Sequence, residues 1–173
     1  GEKAVSTVTS KDVVIGISAS SVTPFVRAAL KKARARRAKT VLVTCAPQAR
    51  LSSFADVVIA IRTGPEVLTG STRLKAGSAT KAVLNAITTA AMIRVGKAYT
   101  NFMVDLRQTS KKLEDRARRI VAMAADVDLA EADRLVRAAD DEVKTAIVMG
   151  LLGVDAPAAR KRQIGRASCR ERG

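Results

Sequence analysis

Three short segments are almost unbroken apolar runs: Asp12–Ile17 (DVVIGI), Thr40–Cys45 (TVLVTC) and Ala55–Ile61 (ADVVIAI). Runs of this kind predict strands buried on both faces of a parallel sheet. Between the first two, Pro24–Arg37 has a different period. Val26, Ala29, Leu30 and Ala33 fall at i, i+3, i+4 and i+7, the stripe of an amphipathic helix. Arg27, Lys31, Lys32, Arg34, Arg36 and Arg37 take the other face and the C-terminal end, where cations suit the helix dipole. Thr23 is a natural N-cap, with Pro24 at the first helical position. Residues 46–53 read as a loop or short helix. A long helix is predicted over Thr72–Gly96, where Ala79, Val83, Ile87, Ala91 and Val95 recur every four residues and Leu84 and Ile93 widen the stripe. Strands alternating with helices at this spacing imply right-handed parallel crossovers and an α/β fold.

From Thr109 onward the pattern is helical throughout. Ser110–Ala125 is amphipathic and basic. Asp128 with Glu131 forms a capping-box-like start for a helix to Ala139. Asp140 is expected to cap a helix over Asp141–Leu152, and Asp155 with Pro157 to open a fourth. Residues Gly1–Ser10 read as a polar lead-in. Ile164–Arg172 (IGRASCRER) break the amphipathic pattern and look like a translated sequencing adapter, so residues 164–173 are set aside as a non-native tail.

Composition narrows the chemistry. The 173 residues are 47% apolar but only 2% aromatic, so the core must be built from Ala, Val, Ile and Leu. No run reaches the ~18 apolar residues of a membrane span, and no signal-peptide pattern is present, which points to a cytoplasmic protein with no membrane partner. Histidine is absent, removing the commonest zinc ligand and general base. Cys45 and Cys169 make neither a disulfide framework nor a metal spacing, and Cys45 reads as a small buried residue rather than a nucleophile. The formal charge of +15 would suit a polyanion, and a nucleic-acid binder would show steeply salt-dependent binding. The cations, however, are mixed with acids and lack interleaved aromatics, which argues against nucleic acid.

Two stretches carry candidate chemistry. The first strand ends in Ser18-Ala19-Ser20-Ser21-Val22-Thr23, opening directly into a helix. In open α/β sheets ligands sit at the carboxyl ends of strands against helix N-termini, and a phosphate monoester would meet hydroxyls and backbone N–H groups there. An ordinary strand-to-helix turn would also be small and polar. The second stretch, Gly64–Lys81 (GPEVLTGSTRLKAGSATK), gathers Glu66, Thr69, Ser71, Thr72, Arg73 and Lys75 ahead of the long helix. This suits an anion site, and it equally suits a plain helix cap at Ser71 or Thr72.

The run from Gly64 to Gly77, followed by Lys81, closely resembles the motif shared by N-acetylmuramic acid 6-phosphate etherases and glucokinase regulatory proteins, which are sugar isomerase (SIS) domain proteins. The hydroxyls of Ser18, Ser20 and Thr23 match the SIS phosphate-loop pattern Ser-x-Ser-Gly-x-Thr position by position, with Ser21 standing where that pattern has Gly. Thr100–Asp105 and Lys144–Met149 resemble further family segments. The resemblance implies an SIS-type three-layer parallel sheet with flanking helices, partial over residues 1–106, and a small C-terminal all-helical module over 107–163. It implies sugar-phosphate contacts from Ser18, Ser20, Thr23, Glu66, Ser71, Thr72, Arg73 and Lys75, with Glu66 holding either a sugar hydroxyl or the loop itself. A homodimer is implied too, since SIS domains generally pair.

The implied reaction is cleavage of the D-lactyl ether of N-acetylmuramic acid 6-phosphate, giving N-acetylglucosamine 6-phosphate and D-lactate in cell-wall recycling, with no metal or redox cofactor. A base would take the C2 proton, the C3 ether would leave with help from an acid, and water would add back. The family's catalytic glutamates are expected upstream of Gly1, so this chain alone is expected to be inactive. The rival reading is a non-catalytic SIS module that senses sugar phosphates.

Overall fold

A computed structural model describes residues 1–164, and the described residues gather into two compact units that divide after Ala86. The expected tail beyond Ile164 lies outside the described residues.

The first unit is built on a parallel sheet of β1 (Val13–Ile17), β2 (Lys39–Thr44) and β3 (Val57–Ala60), in the order β1-β2-β3. Val13 pairs with Lys39 and Ile17 with Val43; Val41 pairs with Val57 and Thr44 with Ala60. Helix α1 (Pro24–Ala35) crosses from β1 to β2 and buries Val26, Ala29, Leu30 and Ala33, the four stripe positions. Each large side chain so buried contributes about 1.5–3 kcal/mol. Gly16 makes the close approach possible: a Cβ there would stand 2.7 Å from Val26 Cγ1 and 3.0 Å from Leu30 Cδ1. The N-terminal residues are more than a lead-in, because a 3-10 turn at Lys3–Val5 packs against α1 and buries Val5. A second 3-10 turn, Ser52–Phe54, lies between β2 and β3.

One expectation fails in this unit. The central β2 is covered on both faces, with Leu42 and Val43 both buried, but β1 and β3 are not. Val14 and Gly16 face α1, whereas Val13, Ile15 and Ile17 are exposed, as are Val57 and Val58. The outer apolar runs do form strands, but among the described residues β1 meets a packing partner on one side only. The long helix α2 (Lys75–Arg94) departs likewise. It begins three residues later than its apolar period implies, and Ala76 is its one buried residue. Its stripe is half-buried at Ala79, Val83 and Ile87 and exposed at Ala91 and Val95.

In the second unit a short antiparallel pair, β4 (Ala98–Tyr99) and β5 (Phe102–Met103), precedes α3 (Lys111–Ala125), α4 (Leu129–Ala138), α5 (Val143–Leu152) and α6 (Ala156–Ile164). Ala117, Ile120 and Val121 of α3, Leu135 and Val136 of α4, and Ala146 and Ile147 of α5 share one core. Asp128 caps α4 as expected, accepting from the Glu131 N–H at 2.8 Å. Asp140 does not cap α5. Asp140 and Asp141 both take left-handed backbone angles, and Glu142 stands at the N-cap, where its carboxylate accepts the Thr145 hydroxyl at 2.7 Å rather than a backbone N–H of the helix. That turn is held from α6 instead: the Arg160 guanidinium bonds Asp140, Glu142 and the Ala139 carbonyl.

Candidate functional site at the carboxyl edge of the sheet

Because β1, β2 and β3 are parallel, the loops that leave their carboxyl ends emerge along one edge. The loop after β1 starts with Ser18, whose N–H extends the ladder to the Val43 carbonyl at 3.0 Å. Ser18 is buried, and its Oγ lies 2.8 Å from Thr23 Oγ1. That bond draws the loop ends together and takes the Thr23 hydroxyl away from helix capping, so the start of α1 carries no side-chain cap. Backbone donors at an uncapped helix start suit an anion. Ser20 is exposed at the tip.

Ser21 has a role that sequence reasoning missed. Its φ is 56°, a left-handed angle that glycine adopts without strain. Its hydroxyl is fully buried and accepts the Leu51 N–H at 3.1 Å, tying this loop to the segment after β2. The Gly-to-Ser departure was visible in the sequence; the partner thirty residues away was not.

The loop after β3 leads to Glu66, which is half-buried. Its Oε2 accepts the Lys75 N–H at 2.9 Å and its Oε1 the Ala76 N–H at 3.0 Å. The cap of α2 is therefore Glu66, reaching across the loop, and not Ser71 or Thr72. These backbone bonds, from Ala76 first and then Lys75, hold the Glu66 carboxyl below the usual carboxylate range. Lys75 Nζ donates to the Pro65 carbonyl at 2.8 Å, closing the loop a second time. Inside it, Gly70 takes φ 85°, the Ser71 N–H bonds the Leu68 carbonyl at 3.0 Å, and Thr72 and Arg73 are exposed.

Cys45 links the two loops. Its N–H donates to the Ala19 carbonyl at 3.1 Å, and its thiol lies 3.8 Å from the Ala76 carbonyl and 3.7 Å from Thr80 Oγ1. The structure thus joins Ser18 to Thr23, and Glu66 to the Lys75 backbone, on one edge. Other carboxylates of this unit lie elsewhere: Asp12 bonds Thr9 just before β1, Asp56 bonds Thr40 just before β3, and Glu2 belongs to the N-terminal turn. Among the described residues no cluster of His, Cys, Asp or Glu is placed to hold a metal ion.

A family model described as the SIS domain matches residues 2–90. This chain belongs to the SIS domain family. The SIS assignment covers β1, β2, β3 and both candidate loops. Curated relatives extend the likeness past the SIS region. An N-acetylmuramic acid 6-phosphate etherase from Geobacillus sp. (strain WCH70) is 54% identical over 144 residues, covering 83% of this chain and 49% of its own length. One from Mycolicibacterium smegmatis is 49% identical over 155 residues, covering 90% of this chain and 52% of its own. One from Gloeothece citriformis is 48% identical over 149 residues, covering 86% and 49%. The SIS chain spans about half the length of the curated relatives it matches. Among the described residues no helix is long and apolar enough to cross a membrane.

Proposed function

We propose that the carboxyl edge of the sheet binds a sugar phosphate, and that the chain is the sugar-phosphate-binding part of an N-acetylmuramic acid 6-phosphate etherase. The observation that carries the binding site is the loop Ser18–Thr23, where a hydroxyl pair closes the turn and leaves the α1 start without a side-chain cap. Relatives named as etherases at about half identity support the substrate class. Ser20 offers its exposed hydroxyl to the phosphate, and Thr69–Arg73 form the opposite wall for the sugar.

Ether cleavage by proton abstraction and return asks for two groups of different proton affinity. On the loops leaving this edge, Glu66 is the carboxylate present, and two backbone N–H groups hold it ionised. It is a poor proton donor at neutral pH. This observation favours binding without turnover by the polypeptide itself, as in a sensing SIS module.

Calorimetric titration of the 173-residue chain with N-acetylmuramic acid 6-phosphate tests both points. Binding is expected, weakened about tenfold or more in Ser20→Ala and Thr23→Val, the loss of a charge-assisted hydrogen bond or two. No D-lactate should appear. Absence of binding, or variants that bind as well as the parent, would refute the site; steady D-lactate release would refute the division of roles.

A further inference from the structure

Two helix starts face the same edge, and they differ in one respect. The start of α1 has no side-chain cap, whereas two backbone donors at the start of α2 are taken by the Glu66 carboxylate. An anion therefore already stands at α2, supplied by the chain. The bonds run from residue 66 to residues 75 and 76, so they close the whole Val67–Leu74 segment as a loop. Lys75 Nζ on the Pro65 carbonyl doubles the closure. Within the segment, Val67, Leu68, Thr69, Gly70, Thr72 and Arg73 are all exposed, so core packing does little to fix their place.

We propose that Glu66 is a positioning residue: its carboxylate holds the start of α2 and so fixes Thr69–Arg73 for the sugar end of the ligand. This rests on the sugar-phosphate reading, which already places the phosphate at the α1 start, and adds the role of Glu66 to it. Glu66 touches no ligand atom. It acts through the backbone of Lys75 and Ala76, and the ligand dianion is kept from α2 by a like charge already in place.

Two measurements on the full chain test this. In the first, inorganic phosphate and N-acetylmuramic acid 6-phosphate are titrated into the parent chain and Glu66→Gln. The sugar phosphate should bind about tenfold more weakly to the variant, which loses a charge-assisted acceptor, while inorganic phosphate binds within twofold of the parent. In the second, amide exchange at Lys75 and Ala76 is followed in the parent chain, with and without saturating sugar phosphate. Both amides should stay protected, because the clamp is kept. Loss of that protection on binding would show Glu66 moving to the ligand and would overturn the positioning role. So would equal weakening of both ligands in Glu66→Gln, or weakening of neither, while the parent binds normally. A parent chain that binds neither ligand would sink the sugar-phosphate reading and this inference with it.

Discussion

Ser21 offers a sharp test of how the loop after β1 is held. Its left-handed φ of 56° costs an L-residue about 1–2 kcal/mol. Replacing it with Gly removes that strain but adds about 0.5–1 kcal/mol of backbone entropy loss, so the conformational gain is roughly 0.5–1 kcal/mol. Against this stands the bond to Leu51, a residue only 4% exposed. Leaving that N–H without its acceptor costs about 1–3 kcal/mol. Ser21→Gly should therefore destabilise the first unit by about 1 kcal/mol, and Ser21→Ala, which keeps the strain and loses the bond, by about 2 kcal/mol. The order parent, Gly, Ala is the signature. Two compact units need not unfold in one step, so a single melting temperature is the wrong readout. Native-state hydrogen exchange at amides of β1 and β2 reports the unit directly. A Ser21→Gly variant more stable than the parent would show that the hydroxyl contributes nothing beyond its strain, and equal Gly and Ala variants would show that the φ carries no cost.

Gly16→Ala should destabilise the same unit by about 1–3 kcal/mol through overpacking, since its Cβ would stand 2.7 Å from Val26 Cγ1; unchanged exchange at β1 would refute the close approach of strand and helix. Acid should loosen both units. Asp56 and Glu66 in the first, and Asp105 and Glu142 in the second, have carboxyls held below their ordinary range by hydrogen bonds from Thr40, from Ala76 and Lys75, from Lys97, and from Thr145 and Arg160. Their stabilisation is full above the unfolded carboxylate range of about 4 and is lost as pH falls through the lower folded values. Circular dichroism from pH 7 to pH 2 should show structure held to about pH 4 and lost below it, and structure unchanged down to pH 2 would contradict the sign.

Local pattern carried much of this fold because the relevant physics is local. The α1 stripe of Val26, Ala29, Leu30 and Ala33 is the buried set, and Asp128 caps α4 where a capping box predicts it. Errors arose where a distant group decides. Apolar strands imply cover on both faces, yet Ile15 and Ile17 are exposed, because composition records what a face suits and not what lies against it. Ser71 and Thr72 have the chemistry of caps, but Glu66 takes the position from nine residues before Lys75. Asp140 has the chemistry of a cap as well, and is turned aside by a left-handed pair fixed from Arg160. The last two depend on bonds between residues distant in sequence, which periodicity does not encode.

The distribution of charge supports the proposed separation of binding from turnover on this edge. Asp12 and Asp56 are spent on threonines before their strands, away from the loops that follow β1 and β3. Glu66 stays at the edge, but its two oxygens are occupied by amide donors. A phosphate dianion approaching Ser20 therefore meets hydroxyls and an open helix start without a bare carboxylate beside it. The same arrangement disqualifies Glu66 as an acid: a carboxyl kept ionised by its own helix has no proton to give to a leaving alkoxide near neutral pH. An edge that binds a dianion and an edge that shuttles protons make different demands on a carboxylate, and Glu66, held ionised by its own helix, does not meet the second.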